Sequence, residues 1–252
     1  MRELMAKKVG QEIRIGTSGW HYEHWRGVFY PPGLPAGERL RFYCQVFDTV
    51  EVNNSFYRLP GEAAVLQWRE TVPEGFLFAV KASRLITHMR KLKDADVPLA
   101  TFLGRISLLE DRLGPVLFQL PPGWRVNVQR LRDFLRLLPS GRRYAFEFRD
   151  PSWFDAAVYR ELQKAGAAFC QYQLGETVSP QVVTADFVYM RLHGPGRPYQ
   201  GRYGEEGLKP WLGRMEGVLR DGLDLYCYFD NDERGYAVMD ALLLRKMLVG
   251  RA

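Results

Sequence analysis

Eight times along the chain a short apolar segment ends on a polar or charged side chain. The endings fall at Ser18, Asn53, Lys81, Gln119, Arg149, near Gln173, at His193 and at Asp230. Apolar runs of this length are strands, and the intervening stretches carry apolar residues at helical spacing. Connections so long make crossovers between parallel neighbours rather than hairpins. Reactive side chains gathered at strand C-termini mark the functional face of a parallel α/β barrel. The fold expected is α/β, a single (β/α)8 TIM-barrel-like domain with parallel strands over residues 1–252, with 1–12 as a short N-terminal extension. A chain of 252 residues suits one such barrel.

The strands are expected at 13–18, 49–53, 76–82, 115–120, 143–149, 167–173, 186–193 and 224–231. Helical spacing covers 36–47, 61–71, a long stretch from 99 to 113, a segment after the cap residue Asn127, then 155–165, 209–220 and 236–248. The Pro121-Pro122 pair halts strand four. The Gly-rich piece 194–207 reads as a functional-face loop. A doubly wound open sheet is the rival fold. It is disfavoured because GTSGW after the first strand is no GxGxxG turn and no Walker lysine motif occurs.

The cysteines, Cys44, Cys170 and Cys227, are far apart and form no CxxC pair, so a disulfide framework or structural zinc is not expected. Each fits a buried apolar position in a protein of the reducing cytoplasm. The opening MRELMAKKVGQE lacks the apolar stretch of a signal peptide, and no run is long enough to span a membrane. No membrane partner is expected. The net charge of +6 is spread along the chain; it allows an anionic ligand or a nucleic acid and selects neither.

Alternate strand residues face opposite sides. In strand five, Tyr144, Phe146 and Phe148 share one side, and Ala145, Glu147 and Arg149 the other. The bulky side belongs against helices, and the small and charged side belongs inside. Applied to every strand, this rule sends Glu51, Asn53, Lys81, Gln119, Glu147, Arg149, Arg191, His193 and Asp230 inward. Packing alone favours Val, Ile and Leu there, and an unpaired buried charge costs several kcal/mol. Such residues must pair, bind an ion, or meet water and ligand.

The segments GTSGWHYEHWRGVFYPP (16–32), EVNNSFYRLP (51–60), FAVKASRLITH (78–88), FQLPP (118–122), EFRDPSW (147–153), YMRLHG (189–194) and YCYFDND (226–232) resemble the DUF72 family, also called the YecE-like proteins. The resemblance covers nearly the whole chain. It implies a TIM-barrel-like fold and a soluble bacterial or archaeal protein, and it assigns no reaction. Carried over by motif, the functional-face residues are Ser18, Trp20, Tyr22, Glu51, Asn53, Tyr57, Lys81, His88, Gln119, Arg149, Trp153, Arg191, His193 and Asp230. The chain departs from the family pattern after strand six, where QYQLGE replaces a frequent Asp. It departs again at Asp230, where Asn is frequent.

Three chemistries fit these residues. Glu51 and Glu147 suit an acid and base flanking one bond, with Trp20, Trp25, Tyr57 and Trp153 as a stacking wall; the alternative is that each glutamate is locked in an ion pair. Glu51, Glu147, His193 and Asp230 offer oxygen and nitrogen donors for a metal-dependent phosphodiesterase or nuclease-like enzyme, although the nearby cations oppose an ion. Lys81, Arg149 and Arg191, with Arg197 and Arg202 in the Gly-rich loop, suit a small phosphorylated or anionic substrate, and His193 can carry a proton beside it. The third is favoured, as a hydrolase or lyase with Glu51, Glu147, His193 and Asp230 as catalytic candidates. A non-catalytic ligand-binding barrel is the remaining alternative. No cofactor is indicated, and no metal ligand is assigned. Ser18 lies outside any nucleophile elbow.

Overall fold

Phe118 and Phe146 stack on neighbouring strands with 5.2 Å between ring centroids, and both meet Phe134 on the helix that connects them. The bulky parity thus faces the helices, as strand alternation requires. In the computed structural model, which describes residues 11–249, these elements belong to a regular strand and helix alternation. In order they are β1 (Ile13–Thr17), α1 (Arg39–Tyr43), β2 (Thr49–Val52), α2 (Glu62–Thr71), β3 (Leu77–Lys81), α3 (Asp96–Ile106), β4 (Leu113–Leu120) and α4 (Val128–Leu135). There follow β5 (Tyr144–Phe148), α5 (Ala156–Lys164), β6 (Ala168–Leu174), β7 (Thr177–Val178), β8 (Phe187–Leu192), α6 (Gly204–Arg220), β9 (Asp224–Phe229) and α7 (Tyr236–Val249).

The strand order is β1-β9-β8-β6-β5-β4-β3-β2, with β7 off this path. Parallel ladders join β1 to β9, β9 to β8, and β2 through β3, β4 and β5 to β6. This is an α/β fold of the TIM-barrel-like class. The described residues form two compact units. One contains residues up to 48, 171–181 and from 186 on; the other contains 49–170 and 182–185. Part of the expected N-terminal extension, residues 1–10, lies outside the described residues.

Local chemistry sets the element ends. Asn127 Oδ1 accepts from the Arg130 amide at 2.9 Å and caps α4. Asp155 Oδ1 accepts from the Ala157 amide at 2.7 Å and caps α5. Gly166 follows α5 with φ +62°, the left-handed turn that glycine adopts freely.

Five features differ from the sequence expectation. The helix expected at 36–47 is α-helical only over Arg39–Tyr43, with a 3-10 turn at Ala36–Glu38 before it. The long stretch 99–113 is α3 followed by a 3-10 segment Ser107–Arg112, broken where Glu110 adopts φ +50°. The sixth long helix begins at Gly204, inside the segment expected to be loop. Gly204, Gly207 and Pro210 are weak helix formers, and Asp240 supplies what they lack by accepting from the first amides, Tyr203 N at 2.9 Å and Gly204 N at 3.2 Å. A π-helical turn, Leu85–Met89, and the antiparallel β7 complete the list; both are too short to leave a periodic signal.

Cys170 and Cys227 are buried and Cys44 is half-buried, with no disulfide among them. Among the described residues no helix is long and apolar enough to cross a membrane.

Candidate functional site

In the first unit, β8 and β9 lie side by side with Arg191 opposite Tyr228 in register. Alternation places Arg191, His193 and Asp230 on one side. Arg191 Nη2 donates to Asp230 Oδ2 at 3.2 Å and to Ser18 Oγ at 3.4 Å. Its Nη1 lies 3.2 Å from His193 Nε2, and His193 Nδ1 lies 3.1 Å from the same Asp230 oxygen. Arg191 and His193 are fully buried and Ser18 nearly so. A guanidinium can only donate. His193 Nε2 therefore accepts, and the ring proton resides on Nδ1, pointing at Asp230. This is an imidazole oriented by a carboxylate, the pairing found in proton-transferring sites.

The loop from Gly194 to Tyr203 continues β8. Gly194 has φ +108°, and a Cβ there would lie 2.2 Å from the Gln200 carbonyl, so only glycine fits. The Gly194 amide donates to Tyr203 Oη at 3.1 Å. The Tyr199 amide bonds the His193 carbonyl, and its ring stands edge-on to the imidazole at 5.4 Å. Tyr199 holds φ +64°, which is uncommon for a bulky residue. Of the two loop arginines, Arg197 is exposed, and Arg202 Nε lies 3.7 Å from Asp240 Oδ1. Asp240, fully buried on α7, also accepts from Asn231 Nδ2 at 2.9 Å. It is the anchor of this loop.

Aromatic residues after β1 pack into the protein. Trp20 is buried, and its carbonyl accepts from Tyr30 Oη at 2.7 Å. Tyr22 Oη donates to the Ser18 carbonyl at 2.6 Å. Trp25 is fully buried, and its Nε1 donates to both oxygens of Asp232 at 2.8 and 2.9 Å. His24 Nε2 lies 2.9 Å from Asp232 Oδ2. Burial pushes the Asp232 carboxyl up, against the downward pull of Trp25 and His24, and the Asp230 charge adds to the rise.

In the second unit, Gln119 on β4 stands opposite Glu147 on β5. Arg149 Nε bonds Glu147 Oε1, and Cys170 Sγ approaches Glu147 Oε2 at 3.9 Å. Glu147 and Glu51 are fully buried, and Gln119 is buried. At the end of β3, the Lys81 ammonium sits 4.3 Å from the centre of the Phe56 ring, a cation–π contact. The Lys81 carbonyl accepts from Ser55 Oγ at 2.6 Å, which ties the turn after β2 to β3. His88 meets the same Phe56 ring edge-on at 4.8 Å and shares a 2.9 Å hydrogen bond between Nδ1 and Thr87 Oγ1. Burial, then the charges of Lys81, Arg149 and Arg84, push the His88 imidazole down to about 4.

Asn53 Oδ1 is buried and has no hydrogen-bond partner among the described residues. Tyr57 is exposed. Trp153 is fully buried, its Nε1 donating to the Trp124 carbonyl at 2.6 Å and its ring stacked on Phe148 at 4.9 Å. Its contacts are those of a core residue rather than of a stacking wall.

The structure thus brings together Ser18, Arg191, His193 and Asp230 in one unit, and Glu147 with Arg149, and Lys81 with His88, in the other. The sequence reading did not single out Asp232, Asp240, Tyr199 or Phe56. Asp232 lies two residues beyond Asp230 in the YCYFDND segment and was within reach. Asp240 sits within a helix, where no local pattern separates a loop anchor from a solvated acid. Among the described residues, no group of three or more His, Cys, Asp or Glu side chains is placed to hold a metal ion.

The family described as "Protein of unknown function DUF72" matches residues 14–252. The chain is 27% identical to the UPF0759 protein YunF of Bacillus subtilis, across 94% of each protein. It is 33% identical to the UPF0759 protein YecE of Escherichia coli K12 over 143 residues, 56% of this chain and 50% of that one. The crystal structure of a DUF72 family protein from Thermotoga maritima superposes with a TM-score of 0.87 at 29% identity, covering 95% of this chain and 100% of the other. One from Enterococcus faecalis, at 18% identity, shares the fold with a TM-score of 0.81 over 94% of this chain and 95% of its own. With a match that runs from β1 to the end of the sequence, the chain belongs to the DUF72 family.

Proposed function

We propose that this protein binds a small phosphorylated or carboxylated molecule through Lys81, Arg149 and His88, with Glu147 beside Arg149 as the acid–base candidate for hydrolase or lyase chemistry. The observation that carries the binding half is geometric: the Lys81 ammonium and the His88 imidazole converge on the one Phe56 ring, at 4.3 and 4.8 Å. The imidazole is held neutral by burial and by Lys81, Arg149 and Arg84, although Glu147 pairs with one of those cations. Burial is the larger cause and the cations add to it; those same cations favour an anion. Arginine supplies the planar fork and lysine the point charge that phosphate recognition uses. The proton-handling half is supported by Glu147, a fully buried carboxylate paired with Arg149. The absence of a disulfide among the three cysteines supports a reducing compartment such as the cytoplasm.

The test is calorimetric titration with inorganic phosphate and with a polycarboxylate such as citrate. Binding that weakens as ionic strength rises and is lost in Lys81→Gln supports the reading. Turnover of a bound phosphate ester that disappears in Glu147→Gln supports the enzyme. Binding without turnover leaves a ligand-binding barrel. No binding of either anion contradicts the proposal.

A further inference from the structure

Tyr57 is 71% exposed, yet its ring is set edge-on against Phe56 at 5.0 Å and 90°. The Phe56 ring in turn carries the Lys81 ammonium and the edge of His88. One buried phenyl group therefore links an exposed aromatic ring to the cationic cluster. The π-helical turn that delivers His88 leaves Leu85 and Met89 in solvent, Met89 at 67% exposure. Turns of this kind concentrate at functional sites. The 3-10 turn Asn54–Phe56 follows Asn53, whose Oδ1 is buried without a hydrogen-bond partner among the described residues.

A bare phosphate ion has no use for these apolar groups. An exposed tyrosine joined through Phe56 to a cationic cluster calls for a ligand with a flat face and a charged end. We propose that Tyr57, seated on the Phe56 ring, forms an aromatic-binding subsite next to Lys81 and His88, so that the ligand joins an aromatic ring to a phosphate monoester. This rests on the anion-binding reading for its charged end and adds the chemical class of the remainder.

The experiment compares three probes on the full chain: inorganic phosphate, glycerol 3-phosphate and phenyl phosphate. Phenyl phosphate is expected to bind about tenfold tighter than the other two, the scale of one ring-on-ring contact. Tyr57→Ala, a change at an exposed position that the fold tolerates, is expected to remove this preference, and Tyr57→Phe to retain it. Equal binding of all three probes by the native protein overturns the aromatic subsite and leaves anion binding intact. A Tyr57→Ala variant that keeps the full preference also overturns it. No binding by any probe overturns the anion reading and the subsite together.

Discussion

Arg191 faces His193 at Nε2 across 3.2 Å, and that contact decides where the imidazole proton sits. With a donor-only group on one nitrogen, the other must carry the hydrogen, and Asp230 receives it at 3.1 Å. Nitrogen-detected NMR of the imidazole is expected to show a proton on Nδ1. Replacing the carboxylate removes one counter-charge from a buried guanidinium. Asp230→Asn is expected to cost about 3 kcal/mol, the scale for breaking a buried ion pair, and to lower Tm by roughly 6–12 °C in calorimetry. A change below about 1 °C would show that the carboxylate does not hold this network.

Trp153 offers a contrast between core and site. Its ring is sealed between Phe148 and Trp124, and its N–H is satisfied by a carbonyl. Trp153→Ala is expected to cost about 3–5 kcal/mol through lost burial and the cavity left behind. Urea unfolding reads this as a lower midpoint with an unchanged slope.

Asp240 makes a different kind of prediction, because it acts on backbone. It accepts from the Tyr203 and Gly204 amides and from Asn231, and it is fully buried. Asp240→Ala orphans these donors at a cost of about 1–3 kcal/mol. The loss is local, so hydrogen exchange at Tyr203 and Gly204 is expected to accelerate more than exchange in β4 or β5.

His88 makes stability depend on pH. Its folded value is about 4, whereas an unfolded histidine titrates near 6.5. Between those values the unfolded chain takes up a proton that the folded chain refuses, so stability rises with pH across this window and this contribution is flat above it. Unfolding midpoints at pH 4.5 and pH 7 are expected to differ less in His88→Gln than in the native protein.

Much of this site was legible before any coordinates. The alternation of Phe146 and Phe148 with Glu147 fixed which side chains turn away from the helices, because a strand has no third option. Asn127 announced its cap by type and position. What stayed hidden depends on partners distant in sequence. Nothing near Gly204 indicates that an aspartate thirty-six residues later starts its helix. Phe56 reads as one more apolar residue until Lys81 and His88 arrive on its ring. Trp153 followed its motif into the expected site but packs as core, since a motif records residue type and order and not the direction a ring takes.

The most direct test of anion binding is an NMR titration of the His88 ring with and without inorganic phosphate. Without the anion the imidazole is expected to protonate near pH 4. With phosphate bound, the field of Lys81 and Arg149 is offset and protonation moves to higher pH, while Lys81→Gln abolishes the response to phosphate. A His88 titration that phosphate leaves unmoved at millimolar concentration would contradict the account.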